Sequence, residues 1–538
     1  MNDSSAFPDL VTSAIDLRWS MDPVAATAAG VQAYDGRLGT FAEDDIAAFV
    51  AAHKSLSGAL EACDVASLDE EIDRTALLDD LRFTIYRFER EQPHAKNPTF
   101  WLSHMLEGLY FLLSAPDRSR EHCAVAAAAR VRDIPGFLSA ARETLRDCPR
   151  VFVETARRVA AQGQGLVDQV GSALVPPDDD GFVRAREDAQ RAIADFTTYL
   201  ESEFGDDADA PFAIGEDGFN FRLHFQHALG NTAPELWRYG LATIEHVEQE
   251  LSELAREIEP GSPWMDLADR LRGDHPAGGQ LVAAYTEQME RARQFVIEHD
   301  LVTVPSGPLE VVATPPFLRP LIPFAAYQPP GAFSSARQGR FYVTDPDPDC
   351  TERSIEQQLR AHSWYDLPST ALHEAYPGHH LQFLTSHAQQ SDVRKLISTP
   401  LTVEGWALYC EEMMCEQGFY ASPEERLFQK MALLWRACRI VLDVGLHTRG
   451  MTVTEAVDFI VDHVHFEQPH AEAEVHRYCA EPAYQLCYAV GMREIKSLRD
   501  AYAAAHGASY SLKAFHDALL VYGGLPVSLT RWGLGLDA

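Results

Sequence analysis

The sequence predicts a mainly α, multi-helical protein with a small β element just before an unusual histidine motif. Three observations carry this. Long Ala-, Leu-, Glu- and Arg-rich stretches place apolar residues three and four apart, which lines one face of a helix. The segment 303–349 breaks that pattern with prolines and aromatic residues. Within it, GRFYVTD (339–345) gathers the aromatic and β-branched residues that favour a strand.

Taken in order, 1–175 reads as an N-terminal helical region, with DRTALLDDLRFTIYRFER (73–90) as its clearest amphipathic stretch. The prolines and acidic run of VPPDDDG (175–181) suit an exposed connection. A second helical region, 176–306, holds 183–204 and PELWRYGLATIEHVEQELSELAREI (234–258). The Pro- and aromatic-rich segment 307–349 carries the short β element, and 350–538 is helical again. The strand at 339–345 is expected either to hold an extended substrate along its edge or simply to brace a loop.

The chain has 538 residues, 46% of them hydrophobic, which is ample for a large core. Its 45 Lys and Arg against 80 Asp and Glu give a formal charge of −35. Such a surface repels phosphate backbones, so nucleic acid is not an expected partner. No run of about 18 apolar residues offers a membrane span, and the first residues lack the basic and apolar regions of an export signal. Nine scattered cysteines, none in a CxxC pair, suggest reduced thiols and a cytoplasmic location. Buried free thiols are expected at Cys410, Cys415, Cys479 and Cys487 rather than metal ligands.

The chemistry concentrates in ALHEAYPGHHLQF (371–383). Two histidines four residues apart on a helix can share one zinc, with an adjacent Glu as general base. Here His373-Glu374 is followed at the fourth place by Pro377, and the next histidines are His379 and His380. A helix turns about 100° per residue and rises about 1.5 Å. An unbroken one therefore cannot bring His373 and either later histidine onto one ion. Pro377 and Gly378 stand between the candidate ligands and break the helix. A bulge absorbing two extra residues presents His379; one absorbing three presents His380.

A third ligand is available downstream. Glu404 lies 25 residues beyond His379 in the apolar stretch LTVEGWALY, where an unpaired carboxylate is costly to bury. Glu411 and Glu412 are rivals whose acidic neighbours suggest a more exposed position. Asp443 and His447 stand one helical turn apart and could touch, the acid orienting the imidazole. Arg477, Tyr478, Tyr484 and Tyr488 offer donors for a substrate carboxylate or an oxyanion. A di-iron site needs two facing Glu-x-x-His pairs, and Glu467-Gln-Pro-His470 contains a proline, so that reading is discarded.

HEAYPGHHLQ, VEGWALYCEEM, RIVLDVGLH, EVHRY and FHDALLVYGGLPVSL (515–529) together resemble a largely bacterial family catalogued as domain of unknown function 885. The resemblance covers nearly the whole chain and is strongest over 360–530. It implies a zinc metallopeptidase distantly similar to helical gluzincins of the thimet-oligopeptidase and Taq-carboxypeptidase groups. The fold would then be gluzincin-like, one integrated catalytic unit with a deep substrate channel. The resemblance further implies His373, one of His379 or His380, and Glu404 as ligands of one zinc per chain, with Glu374 as general base. EPAYQL (481–486) departs from the Pro-Gly-Gln-Ala often found there. Hydrolysis of a short peptide or peptide-like amide is expected, with His447 or Tyr488 stabilising the oxyanion, Asp443 behind His447, and Arg477 and Tyr478 binding substrate. The alternatives are a metal-dependent lyase or amidohydrolase acting on a small metabolite, and an inactive binding protein.

Overall fold

The structure is a computed structural model that describes residues 6–115, 117–175, 180–205, 210–315, 318–319, 322 and 324–536. It is mainly helical, with three short strands among the described residues. Helices form where the apolar period was read. The 234–258 stretch becomes the Ala233–Ile258 helix, with Pro at its first turn and a reciprocal cap between Thr232 and Glu235. The 183–204 stretch lies in Asp180–Glu203. The 73–90 stretch lies in Leu68–Tyr86 and a following π-turn, Arg87–Glu91. Most of the 175–181 connection, residues 176–179, falls outside the described residues. Among the described residues, no helix is long and apolar enough to cross a membrane.

The chain divides into two compact units, Met1–Phe212 with Pro330–Arg337, and Ala213–Pro329 with Gln338–Ala538. The first is helical. Its Arg130 is fully buried and donates to the carbonyls of Arg37 and Gly108 and to Thr27 Oγ1, so one guanidinium satisfies several interior acceptors. The 330–337 segment joins this unit through the Phe333 N–H to the Ala29 carbonyl and Ser334 Oγ to Asp117.

The second unit contains the sheet and the histidine motif. Strand β1 (Leu309–Ala313) pairs parallel with β3 (Gly339–Val343), and β2 (Ala325–Gln328) pairs antiparallel with it. The strand expected at 339–345 is therefore present but central, so it has no free edge for a substrate. The edge strand on the motif side is β2. Phe341 and Val343 pack with Leu281, Tyr285, Leu367 and Ala371, which fixes the sheet against the Leu281–Glu298 helix and the helix that carries His373.

Candidate metal centre

The His-Glu motif lies at the end of a short helix, Leu367–Glu374. The chain leaves helical geometry at Ala375, passes a cis Tyr376–Pro377 bond, and starts a second helix, His379–His387. This is a break and a restart rather than a bulge. Gly378 closes back on the first helix, with its N–H on the Leu372 carbonyl. A Cβ on Gly378 would lie 1.9 Å from the His373 carbonyl oxygen, so only glycine permits the reversal. The Trp406 indole N–H holds the Pro377 carbonyl at 2.9 Å and ties the reversal to the helix that carries Glu404.

That helix, Pro400–Glu416, begins at a Thr399 cap and crosses the Cys487–His506 helix at Gly405 and Gly491. A Cβ on Gly491 would lie 1.9 Å from the Leu401 carbonyl oxygen, so the close crossing requires that glycine. It seats Glu404 opposite the histidines and brings Tyr484 and Tyr488 to the same wall.

His373, His379 and Glu404 converge. Each offers one ligand atom, and these atoms lie within 4.8 Å of one another. Glu404 Oε2 is 3.4 Å from His379 Nε2 and 3.8 Å from His373 Nε2. The rings of the two histidines are 4.8 Å apart and nearly perpendicular. His380, the rival second ligand, points elsewhere. Its Nδ1 meets the Tyr327 hydroxyl at 3.1 Å and its Nε2 faces the Gly307 carbonyl. One residue of helix turns a side chain about 100°, which separates the two neighbours. Burial lowers the His380 pKa to about 4.

Glu411 corrects another expectation. It is buried rather than exposed, and its Oε1 lies 2.8 Å from His373 Nδ1, on the side of the ring away from Glu404. Ser369 Oγ donates to its other oxygen at 2.9 Å. Glu411 thus orients a candidate ligand, the arrangement in which an outer carboxylate fixes a metal-binding imidazole. Glu412 turns away to Lys430. Burial opposes protonation of His373, but Glu404 and Glu411 outweigh it and push its pKa up to about 9. Burial also disfavours the charged form of Glu404, yet the two imidazoles hold its carboxyl well below the usual range.

Glu374 is partly exposed. Its Oε2 accepts the Tyr327 N–H of β2 at 3.2 Å, and its charge is felt by His373. Tyr484 donates to Glu404 Oε1 at 2.8 Å, leaving Oε2 for the histidine side. The rings of Tyr484 and Tyr488 lie 6.2 Å apart. Tyr488 is partly exposed, and its hydroxyl has no hydrogen-bond partner among the described residues.

The remaining candidates lie apart from this convergence. His447 is fully buried; its Nε2 meets the Tyr478 carbonyl at 3.0 Å, and burial lowers its pKa to about 4. Asp443 does not orient it. The Asp443 oxygens instead accept the backbone N–H groups of Ala483 and Leu486, which shapes the turn that presents Tyr484. Tyr478 is fully buried, donating to Glu474 and accepting from Arg439 and Trp435. Arg477 is engaged by Glu474 and Glu481. The hydroxyl and carbonyl of Tyr478 and Nε2 of His447 are therefore engaged inside the fold.

A zinc site with three protein ligands needs a compact set of nitrogen and carboxylate donors with an open position beside it. His373, His379 and Glu404 fit that chemistry, and the extra negative charge of Glu374 and Glu411 favours a dication in a buried setting. His379 Nδ1 has no hydrogen-bond partner among the described residues, so its ring lacks the orienting contact that His373 has.

The chain belongs to the family described as "Bacterial protein of unknown function (DUF885)", which it matches over residues 23–532. Two solved structures share its fold. A candidate lipoprotein of unknown function from Shewanella oneidensis is 24% identical, with a TM-score of 0.82 over 99% of this chain and 100% of that one. A candidate lipoprotein from Colwellia psychrerythraea is 17% identical, with a TM-score of 0.83 over 99% of each chain. No curated protein matches the sequence.

Proposed function

We propose that this member of the family is a zinc-dependent hydrolase of short peptides or peptide-like amides, distantly similar to the helical gluzincins. The observation that carries the reading is the convergence of the His373, His379 and Glu404 ligand atoms within 4.8 Å, with Glu374 next to the first ligand in sequence. When bound, zinc supplies Lewis-acid polarisation of a carbonyl and lowers the pKa of a coordinated water towards about 7. Glu411 holds the His373 ring in its ligating orientation, and Tyr484 fixes the rotamer of Glu404. Glu374 is the general base, accepting a proton at its carboxylate and returning it to the leaving amine. The Tyr488 hydroxyl donates to the developing oxyanion. The outer edge of β2 offers backbone groups beside Glu374, where an extended peptide can lie.

The test is elemental analysis of unchelated protein beside a His373→Ala/Glu404→Ala double variant. About one zinc per chain, lost in the variant, is expected; no stoichiometric metal even after zinc is added back overturns the reading. Glu374→Gln should keep the zinc and lose turnover by about 10²–10⁴-fold on a peptide panel. Full activity in that variant removes Glu374 from the mechanism. Activity on small amides alone, with none on peptides, moves the assignment to an amidohydrolase. A cytoplasmic location belongs to the same proposal and is supported by nine cysteines free of disulfides. The two solved relatives bear the description of lipoproteins, so cell fractionation tests it.

A further inference from the structure

Two arginines stand one turn apart on the Pro423–Thr448 helix, and they differ in how they are satisfied. Arg439 is buried, with its Nε on the Tyr478 hydroxyl at 3.0 Å and its Nη2 on Glu474 at 3.1 Å. Arg436 has no ion-pair partner among the described residues. Its one hydrogen bond there runs from Nη1 to the Ala432 carbonyl of its own helix, at 3.3 Å. Its Nε is buried without an acceptor. Asp366, the acid whose charge couples to Arg436, forms no ion pair with it. A buried guanidinium N–H without an acceptor is unfavourable in the free protein.

Arg436 also lies on the wall that leads to the metal centre. Its guanidinium carbon is 5.8 Å from the Tyr488 ring centre. The Tyr488 ring is 6.2 Å from that of Tyr484, whose hydroxyl donates to Glu404 at 2.8 Å. Contacts therefore run continuously from a candidate zinc ligand to an unpaired cation, past a phenol with a free hydroxyl. An extended peptide spans about 3.5 Å per residue, and the steps of 5.8 Å and 6.2 Å between these groups are each about two residues long. On a chain of formal charge −35, a partly buried arginine without an ion pair among the described residues is a selective feature.

We propose that Arg436 binds a carboxylate of the substrate, namely the free C-terminal carboxylate of a short peptide. The planar guanidinium suits bidentate contact with a carboxylate. The inference rests on the hydrolase reading for what happens at the scissile bond, but carboxylate binding can be measured without turnover.

The experiment compares benzoyl-Gly-X free acids (X being Phe, Leu, Lys or Glu) with their C-terminal amides. Equilibrium binding is measured in zinc-loaded Glu374→Gln protein and in metal-stripped wild type; kcat and KM are measured in the zinc-loaded wild type. The expected result is binding of at least one free acid about tenfold or more tighter than its amide. This preference should persist without metal, fall to near unity in Arg436→Gln and recover in part in Arg436→Lys. Zinc content and the circular dichroism spectrum of both variants should match wild type. A preference confined to X = Glu that survives amidation assigns the contact to an acidic side chain and overturns the C-terminal assignment. Equal affinity for acids and amides across the panel, or a preference that Arg436→Gln leaves intact, overturns the proposal. Hydrolysis of acids and amides alike would sink this inference and leave the hydrolase reading standing. Arg436-dependent acid binding without hydrolysis does the reverse.

Discussion

Two clusters in the second unit pair buried histidines with carboxylates, and they behave differently. Around His373, the polar atoms of His373, His379 and Glu404 face one another, and the supporting bonds from Glu411 and Tyr484 come from outside the convergence. Around His447, the groups are spent on backbone, His447 on the Tyr478 carbonyl and Asp443 on the N–H groups of Ala483 and Leu486. Burial alone therefore does not mark a site. The mark is a set of side-chain donors that converge and are left for a ligand.

The sharpest separation should come from His447→Ala. Deleting a fully buried ring and leaving the Tyr478 carbonyl without its donor should destabilise the protein by about 2–3 kcal/mol in urea titration. Zinc content and KM should stay within about twofold of wild type, the scatter expected of a residue outside the site. A lost zinc with unchanged stability would erase the distinction between the clusters.

Glu411→Gln tests the other cluster. An amide cannot act as the anionic partner of the His373 ring, so zinc affinity should fall about 10–100-fold in competition with a chelator. Stability of the metal-free protein should fall as well, because the Glu411 carboxylate also favours the protonated form of the buried His373 ring. An unchanged zinc affinity would show that Glu411 is packing rather than support.

The smallest effect is a difference in pH dependence. The folded pKa of His447 lies below its ordinary value because burial disfavours the cation, at about 4. The unfolded chain thus takes up this proton first as pH falls. The contribution of His447 to stability is complete above about pH 6.5 and is lost on going down towards pH 4. Urea midpoints at pH 7.5 and 5 should differ less in His447→Ala than in wild type. An identical difference would mean that folding does not shift the pKa of this ring. His227 and His516, also buried and shifted down, should keep a residual slope in the variant.

Where the reading of the sequence held, the reason was local. The 234–258 helix was legible because its apolar period, its proline and its Thr–Glu cap all lie within a few turns of chain. The break between His373 and His379 was legible because Pro377 and Gly378 act on their own backbone. The edge role given to 339–345 failed because strand order depends on partners far away in sequence, and β2 carries no strong strand signal of its own. Glu411 was read as exposed from its acidic neighbour Glu412. On a helix, however, adjacent residues face about 100° apart, and one turned to His373 while the other turned to Lys430.

The sequence by itself determined the mainly helical class, the helix breaker inside the histidine motif, and the supply of His373, His379 or His380, and Glu404 as donors. These follow from periodicity, backbone restriction and residue chemistry, all short-range properties. Only the tertiary structure brought His379 rather than His380 beside His373 and Glu404, set Glu411 and Tyr484 against that cluster, turned His447 Nε2 to the Tyr478 carbonyl and left Arg436 without an ion pair among the described residues. Each of those outcomes depends on which side chain meets which across helices distant in the chain, held by crossings such as Gly405 on Gly491, and pairing at that range is a property of packing.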